Sequence, residues 1–241
     1  MSKLFIIIQA RMTSTRLPNK VLLPIGEKPA LQIMIERLQG WRENIIIATT
    51  NDGSEDPIVA LCETLNIRYF KGSTDNVLER YYLTAKKFGA TYGDAIMRLT
   101  SDNPLIDYDL TSKVIKIYQE NTYNMVSLGP HSGFPRGLDC CIFDFDCLEK
   151  THLGAITDAD KEHVTMGMTK FSDIACYNLS SGEDLSHYRL TLDEEDDYKM
   201  IQTVYALFNN QTSFNYLELL AALKDNPEVI KINQHIEQKK Y

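Results

Sequence analysis

Lys3-Leu4-Phe5-Ile6-Ile7-Ile8-Gln9 is an almost unbroken apolar run close to the start of the chain. A strand with one wet face alternates apolar and polar residues. A run without alternation suits a strand covered on both faces, as in the middle of a parallel sheet. Working outward, further β-rich runs occur at residues 44–50, 67–71, 94–99 and 124–128, with gaps long enough for crossover helices. The gaps have helical features. Residues 29–39 carry Ile33, Ile35 and Leu38 with Gly40 as a stop, 56–65 open with Asp56-Pro57, and 75–88 begin with an acid. Strand and helix thus alternate to about residue 125, which predicts an α/β fold with a mainly parallel central sheet.

Beyond Gly129 the texture changes. Residues 131–137 are rich in Gly, Pro and Ser, and 138–145 read as a strand outside the regular series. We read 129–180 as an inserted extension, an arm in shape. Residues 188–192 read as a returning strand, and 194–208 and 216–223 as closing helices. The expectation is one domain over residues 1–241. With 241 residues, 44% of them hydrophobic, a sizeable core is within reach.

Charge narrows the function. Lys and Arg number 25 against 33 Asp and Glu, a net charge of -8, which disfavours nucleic acid as a partner. Five cysteines without a CxxC pair suggest neither a disulfide framework nor a thiolate zinc site. No apolar run approaches the length of a bilayer span, and Leu4 to Ile8 is short for a signal peptide. A cytoplasmic protein without a membrane partner is expected.

Against that acidic background, the loop after the first strand concentrates positive charge. Ala10-Arg11-Met12-Thr13-Ser14-Thr15-Arg16-Leu17-Pro18-Asn19-Lys20 holds three cations and three hydroxyls. Ligands of open α/β sheets bind at strand carboxyl ends, and Arg forks with a mobile Lys suit a triphosphate. A merely solvated basic loop is the alternative. Neither GxxxxGK[ST] nor GxGxxG is present, so the phosphate grip is of another kind. Acids at strand ends are the natural metal candidates. Asp102, in Arg98-Leu99-Thr100-Ser101-Asp102-Asn103-Pro104-Leu105, is one, although Asp also caps turns of this kind. Asp193 is the other; it opens Asp193-Glu194-Glu195-Asp196-Asp197, where an ordinary helix cap with Asp196 three residues later is the competing reading.

The N-terminal segment resembles the signature of CMP-sugar-acid synthetases, and more closely the spore-coat polysaccharide cytidylyltransferase-like proteins of that superfamily. The resemblance covers most of the chain and implies a Rossmann-like nucleotidyltransferase fold, CTP as donor, a small sugar-like acceptor and Mg²⁺ as cofactor. It further implies that Ala10 and Arg11 lie against the nucleotide, that Arg16 and Lys20 hold the phosphates, and that Asp102 and Asp193 bind the metal. Arg11, Lys20, Asp102 and Asp193 form the expected catalytic set. The other acids of the 193–197 run are expected in a solvated helix start.

In that family the loop matching Gly72-Ser73-Thr74-Asp75-Asn76-Val77-Leu78-Glu79-Arg80 lies near base and ribose. Gly72, Ser73 and Asp75 therefore join Thr100 as expected nucleotide contacts, with a plain turn capped by Asp75 as the alternative. Pro135-Arg136-Gly137-Leu138-Asp139 and Glu162-His163-Val164-Thr165 also resemble the spore-coat group. They nominate Arg136, Asp139 and His163 for the acceptor, with a hydrogen-bonded structural role as the alternative for His163. The same likeness implies a homodimer spanned by the extension. Two other readings stay open: a nucleotidyltransferase using another NTP or a phosphate or phosphonate acceptor, and a non-catalytic nucleotide- or sugar-binding module.

Overall fold

The computed structural model describes residues 2–129, 131–171 and 173–237. The apolar run forms β1 (Leu4–Gln9). A two-residue hairpin, β2 (Pro24–Ile25) and β3 (Lys28–Pro29), precedes α1 (Ala30–Arg37). Then follow β4 (Ile45–Thr50), α2 (Asp56–Thr64), β5 (Arg68–Gly72), α3 (Val77–Lys87), β6 (Ala95–Thr100) and α4 (Tyr108–Glu120). Next come β7 (Met125–Leu128), β8 (Cys140–Asp144), α5 (Phe145–Gly154), α6 (Asp158–Glu162), α7 (Met168–Phe171) and β9 (Cys176–Asn178). The chain ends with α8 (Glu195–Leu207), α9 (Tyr216–Asp225) and α10 (Pro227–Lys231).

Seven strands form one sheet in the order β5-β4-β1-β6-β8-β7-β9. β1 lies between two parallel neighbours, Ile6 pairing with Ile45 on one side and Met97 on the other. That position explains its uninterrupted apolar sequence: Ile6 and Ile8 pack into one core cluster, Phe5 and Ile7 into the other. The first cluster is closed by α1, α2, α4 and the C-terminal helices, the second by α3, α5 and the Val164–Met168 segment. Each fully buried Ile contributes roughly 1.5–3 kcal/mol, so both faces of β1 stabilise the fold.

The 129–180 stretch does more than extend the fold. β8 lies inside the sheet, antiparallel to both β6 and β7, and β9 completes the edge beside β7. Its apolar Cys140-Cys141-Ile142-Phe143 segment is buried throughout, as an internal position requires. Because β8 runs against β6, its first residues join the carboxyl ends of β1, β4, β5 and β6 at one end of the sheet. The returning strand expected over 188–192 is not a sheet strand. It is extended chain with a single bridge, Arg136 to Arg189, because the loop before β8, not a strand, lies alongside it.

Four of the five cysteines are buried, and none is paired among the described residues. Burial pushes the thiols of Cys62, Cys141 and Cys147 up to about 12, so they stay protonated packing groups. Among the described residues no helix is long and apolar enough to cross a membrane.

Candidate functional site

Lys20 reaches the site from a loop that folds back on itself. Asn19 adopts a left-handed backbone, φ 57°, which Asn tolerates better than most residues. Its N–H donates to the Met12 carbonyl (3.1 Å), and its own carbonyl accepts from the Leu22 N–H (2.9 Å). Val21 is buried in the core, and Lys20 beside it extends to two carboxylates. Its Nζ donates to Asp193 Oδ1 at 2.8 Å and to Asp102 Oδ2 at 3.3 Å. Arg16 from the same loop forks between Asp193 Oδ2 (3.1 Å) and Glu194 Oε1 (3.0 Å). Four expected residues, Arg16, Lys20, Asp102 and Asp193, thus meet in one cluster.

The two aspartates are held together through backbone. The Leu192 N–H donates to the Asp102 carbonyl at 2.7 Å, and Thr191 Oγ1 donates to the same oxygen at 3.3 Å. Behind Asp193 lies a residue the sequence reading placed in a solvated helix start. Asp197 is 0% exposed. It accepts two parallel bonds from Arg189 (2.8 Å each), one from Asn233 Nδ2 (2.9 Å), and backbone bonds from Asp193 (3.1 Å) and Glu194 (2.9 Å). The capping box of α8 therefore joins Glu194 to Asp197, and Asp196 is not its partner. Asp197 serves as the buried anchor of the Asp193 turn because α8 carries its inward face there, beside Met200 and Ile201.

Burial alone would push the Asp193 carboxyl up, yet Lys20, Arg16 and Arg189 outweigh it and hold it below the ordinary carboxylate range. Burial likewise disfavours the Lys20 ammonium, but Asp102 and Asp193 together raise it above its usual range. The Asp193 carboxylate and the Lys20 ammonium are therefore both charged at neutral pH. The residues also fit a hard divalent cation: two carboxylates converge on one point, and Asp102 Oδ1 is buried without a hydrogen-bond partner. An unpaired carboxylate oxygen in an all-oxygen donor set suits Mg²⁺.

The remaining candidates surround this cluster unevenly. Ala10 is buried at the end of β1, its N–H on the Ala48 carbonyl (3.1 Å), and Arg11 is exposed beyond it. Gly72 ends β5 against the side chains of Phe70 and Arg80; a Cβ there would come within 2.9 Å of Phe70. Ser73 Oγ accepts from the Asn76 N–H at 3.1 Å. Asp75 is exposed and does not cap α3; Asn76 does, accepting from the Glu79 N–H at 3.0 Å. Thr100 Oγ1 accepts from Asn103 Nδ2 at 3.3 Å.

The Arg136–Asp139 loop lies alongside the Asp193 segment. The Arg136 N–H donates to the Tyr188 carbonyl (3.0 Å), and the Leu190 N–H donates to the Arg136 carbonyl (2.8 Å). Asp139 Oδ2 accepts from the Gly137 N–H at 3.0 Å, and burial pushes its carboxyl up. His163 closes α6, and its neighbour Val164 is buried in the α3-side cluster, on the other face of the sheet from Val21. Gly137 has φ +99°, and a Cβ there would lie 2.5 Å from the Leu190 carbonyl carbon and 2.7 Å from Thr191 N. Gly137→Ala is expected to lower stability by about 2 kcal/mol or more. A shifted urea midpoint at unchanged slope would report it; an unchanged midpoint would mean that the loop moves aside freely.

The family whose sequence profile matches residues 5–133 is described as Cytidylyltransferase. The spore coat polysaccharide biosynthesis protein SpsF of Bacillus subtilis is 30% identical, over 95% of this chain and 97% of that one. A 3-deoxy-manno-octulosonate cytidylyltransferase of Francisella tularensis subsp. holarctica is 28% identical over 53% of this chain and 50% of its own length. Among solved structures, a cytidylyltransferase from Leptospira borgpetersenii superposes with a TM-score of 0.89 at 30% identity, covering 100% of both chains.

Proposed function

The chain belongs to the cytidylyltransferase family, and from that membership we propose that it transfers CMP from CTP to a small sugar-acid-like acceptor. Pyrophosphate is released, and the product feeds a surface polysaccharide or related glycan in the cytoplasm. The observation that carries this reading is Lys20 held between Asp102 and Asp193 with Arg16 alongside. Mere binding does not call for two carboxylates set about a mobile cation; phosphoryl-type transfer does.

An acceptor oxygen attacks the α-phosphorus in line, a new P–O bond forms, and the bond to the β-phosphate oxygen breaks. Mg²⁺ bound by Asp102 and Asp193 would supply charge neutralisation at the attacked phosphate. Arg11, Arg16 and Lys20 meet the negative charge that collects on the departing pyrophosphate. Lys20 is the mobile member of that set, a point charge on a flexible stem. Asp197 fixes Asp193 through its backbone N–H, so the acid does not move when Lys20 does. The exposed Leu153, Ile156 and Met166 of the 129–180 stretch support a homodimer contact there.

The test is thermal stability with each of the four ribonucleoside triphosphates, with and without Mg²⁺. CTP with Mg²⁺ is expected to raise Tm by roughly 5–10 °C at a hundredfold excess over Kd, with the other three well below it. A larger rise with another triphosphate would keep the chemistry and change the donor. No rise with any would remove the nucleotide from the reading.

A further inference from the structure

Outside the Lys20 cluster, Gln9 Oε1, Arg80 Nε and Arg98 Nε are buried polar atoms without a hydrogen-bond partner on one side of the sheet. Side-chain alternation puts them on one face. Phe5 and Ile7 of β1, Ile46 and Ala48 of β4, and Ile96 of β6 all pack into the α3-side cluster, so Gln9, Thr50 and Arg98 face the same way. The register places Arg98 beside Ile7 on β1 and Cys141 on β8, and Gln9 beside Thr100. α3 covers the row with Arg80 and Tyr81.

Arg80 is 1% exposed; Nη1 donates to the Ser73 carbonyl at 2.6 Å, but Nε donates to nothing. The Arg98 guanidinium lies 6.0 Å from the Tyr81 ring centre and is only partly covered. Neither arginine has a carboxylate in ion-pair contact among the described residues, although the chain carries more acids than bases. Burial, and then the nearby Arg11, pull the Arg80 guanidinium below its usual range. A bound anion would reverse that direction.

We infer that Arg98, on the α3-covered face of the sheet, binds a carboxylate or phosphate group of the acceptor, with Gln9 taking one of its hydroxyls. The inference rests on the transferase reading for the word acceptor, but the oxyanion site stands on geometry. A guanidinium with free Nε and Nη donors presents paired bonds to an oxyanion, and the unpartnered Gln9 Oε1 accepts from a hydroxyl. Arg98 is on the strand that delivers Asp102, four residues before it, so an anion held there keeps the rest of the acceptor near that acid.

Isothermal titration of the full chain with inorganic phosphate, with pyruvate and with CTP plus Mg²⁺ tests this, using wild type, Arg98→Met, Arg98→Lys and Lys20→Met. Arg98→Met is expected to weaken one or both small anions at least tenfold while leaving CTP binding within twofold, whereas Lys20→Met keeps the small-anion site. Arg98→Lys, which retains the charge, guards against a folding defect and is expected to bind at intermediate strength. Loss of phosphate alone would point to a phosphorylated acceptor, loss of pyruvate alone to a carboxylate. Small-anion binding unchanged in Arg98→Met, absent in wild type, or lost together with CTP would overturn the site. If wild type ignores CTP yet binds the anions through Arg98, the site holds and the CTP reading falls.

Discussion

Asp102→Asn is expected to lower pyrophosphate release by about 10³-fold or more while leaving the fold intact. The fold survives because the structural work of residue 102 is done by its backbone: the carbonyl accepts from Leu192 and Thr191, and among the described residues the side chain makes one ion pair, with Lys20 at 3.3 Å. Asn keeps the volume and one oxygen but loses the charge that a hard cation requires. The check is pyrophosphate release under saturating CTP and Mg²⁺, alongside a circular dichroism melt. Full activity in a folded variant would take Asp102 out of the chemistry. Lost activity with a lowered melting temperature would instead mean that the carboxylate is structural.

Asp197→Ala is expected to act on stability first. The substitution leaves Arg189, itself 7% exposed, as a buried cation with its paired acceptor gone and Asn233 without one of its oxygens. Breaking a buried pair from one side costs roughly 3–5 kcal/mol, a large share of the 5–15 kcal/mol that a typical domain has. Asp196→Ala is the control on the same helix turn: its carboxylate meets Lys199 and His235 at the surface, where solvent screening leaves such pairs little effect on stability. Urea unfolding of the two variants side by side decides it. Equal midpoints would mean that the Arg189 fork does not hold the Asp193 turn.

Much of the fold was legible because β1 is covered on both faces and says so in every residue, and because its neighbours repeat the pattern. The Lys20, Asp102 and Asp193 cluster was legible for a different reason: the basic loop stands out against an acidic chain, whereas Asp102 and Asp193 read equally as turn and helix caps until the family resemblance joined them to it. What was not legible has a common cause. Asp197 and Glu194 lie in an acidic run where only the twist of α8 decides which carboxylate turns inward, and that depends on Arg189 and Asn233 from other segments. Residues 188–192 have the composition of a strand, but pairing needs a neighbour, and the neighbour there is the Arg136 loop. Arg98 showed as a charge inside an apolar run; its missing partner is visible only in three dimensions.

The hydrogen bond from Leu192 to the Asp102 carbonyl, backed by Asn233 on Arg189 and Asp197, also sets a schedule for the nascent chain. Lys20 and Asp102 leave the ribosome early, able to make a basic loop and half a sheet. Asp193, the acid that completes their cluster, and Asn233, the asparagine that locks it, are synthesised only after both. A chain stalled before residue 193 therefore has the Lys20 loop without the second carboxylate of its cluster, and one stalled between 193 and 233 has that carboxylate without the side chain that locks its turn.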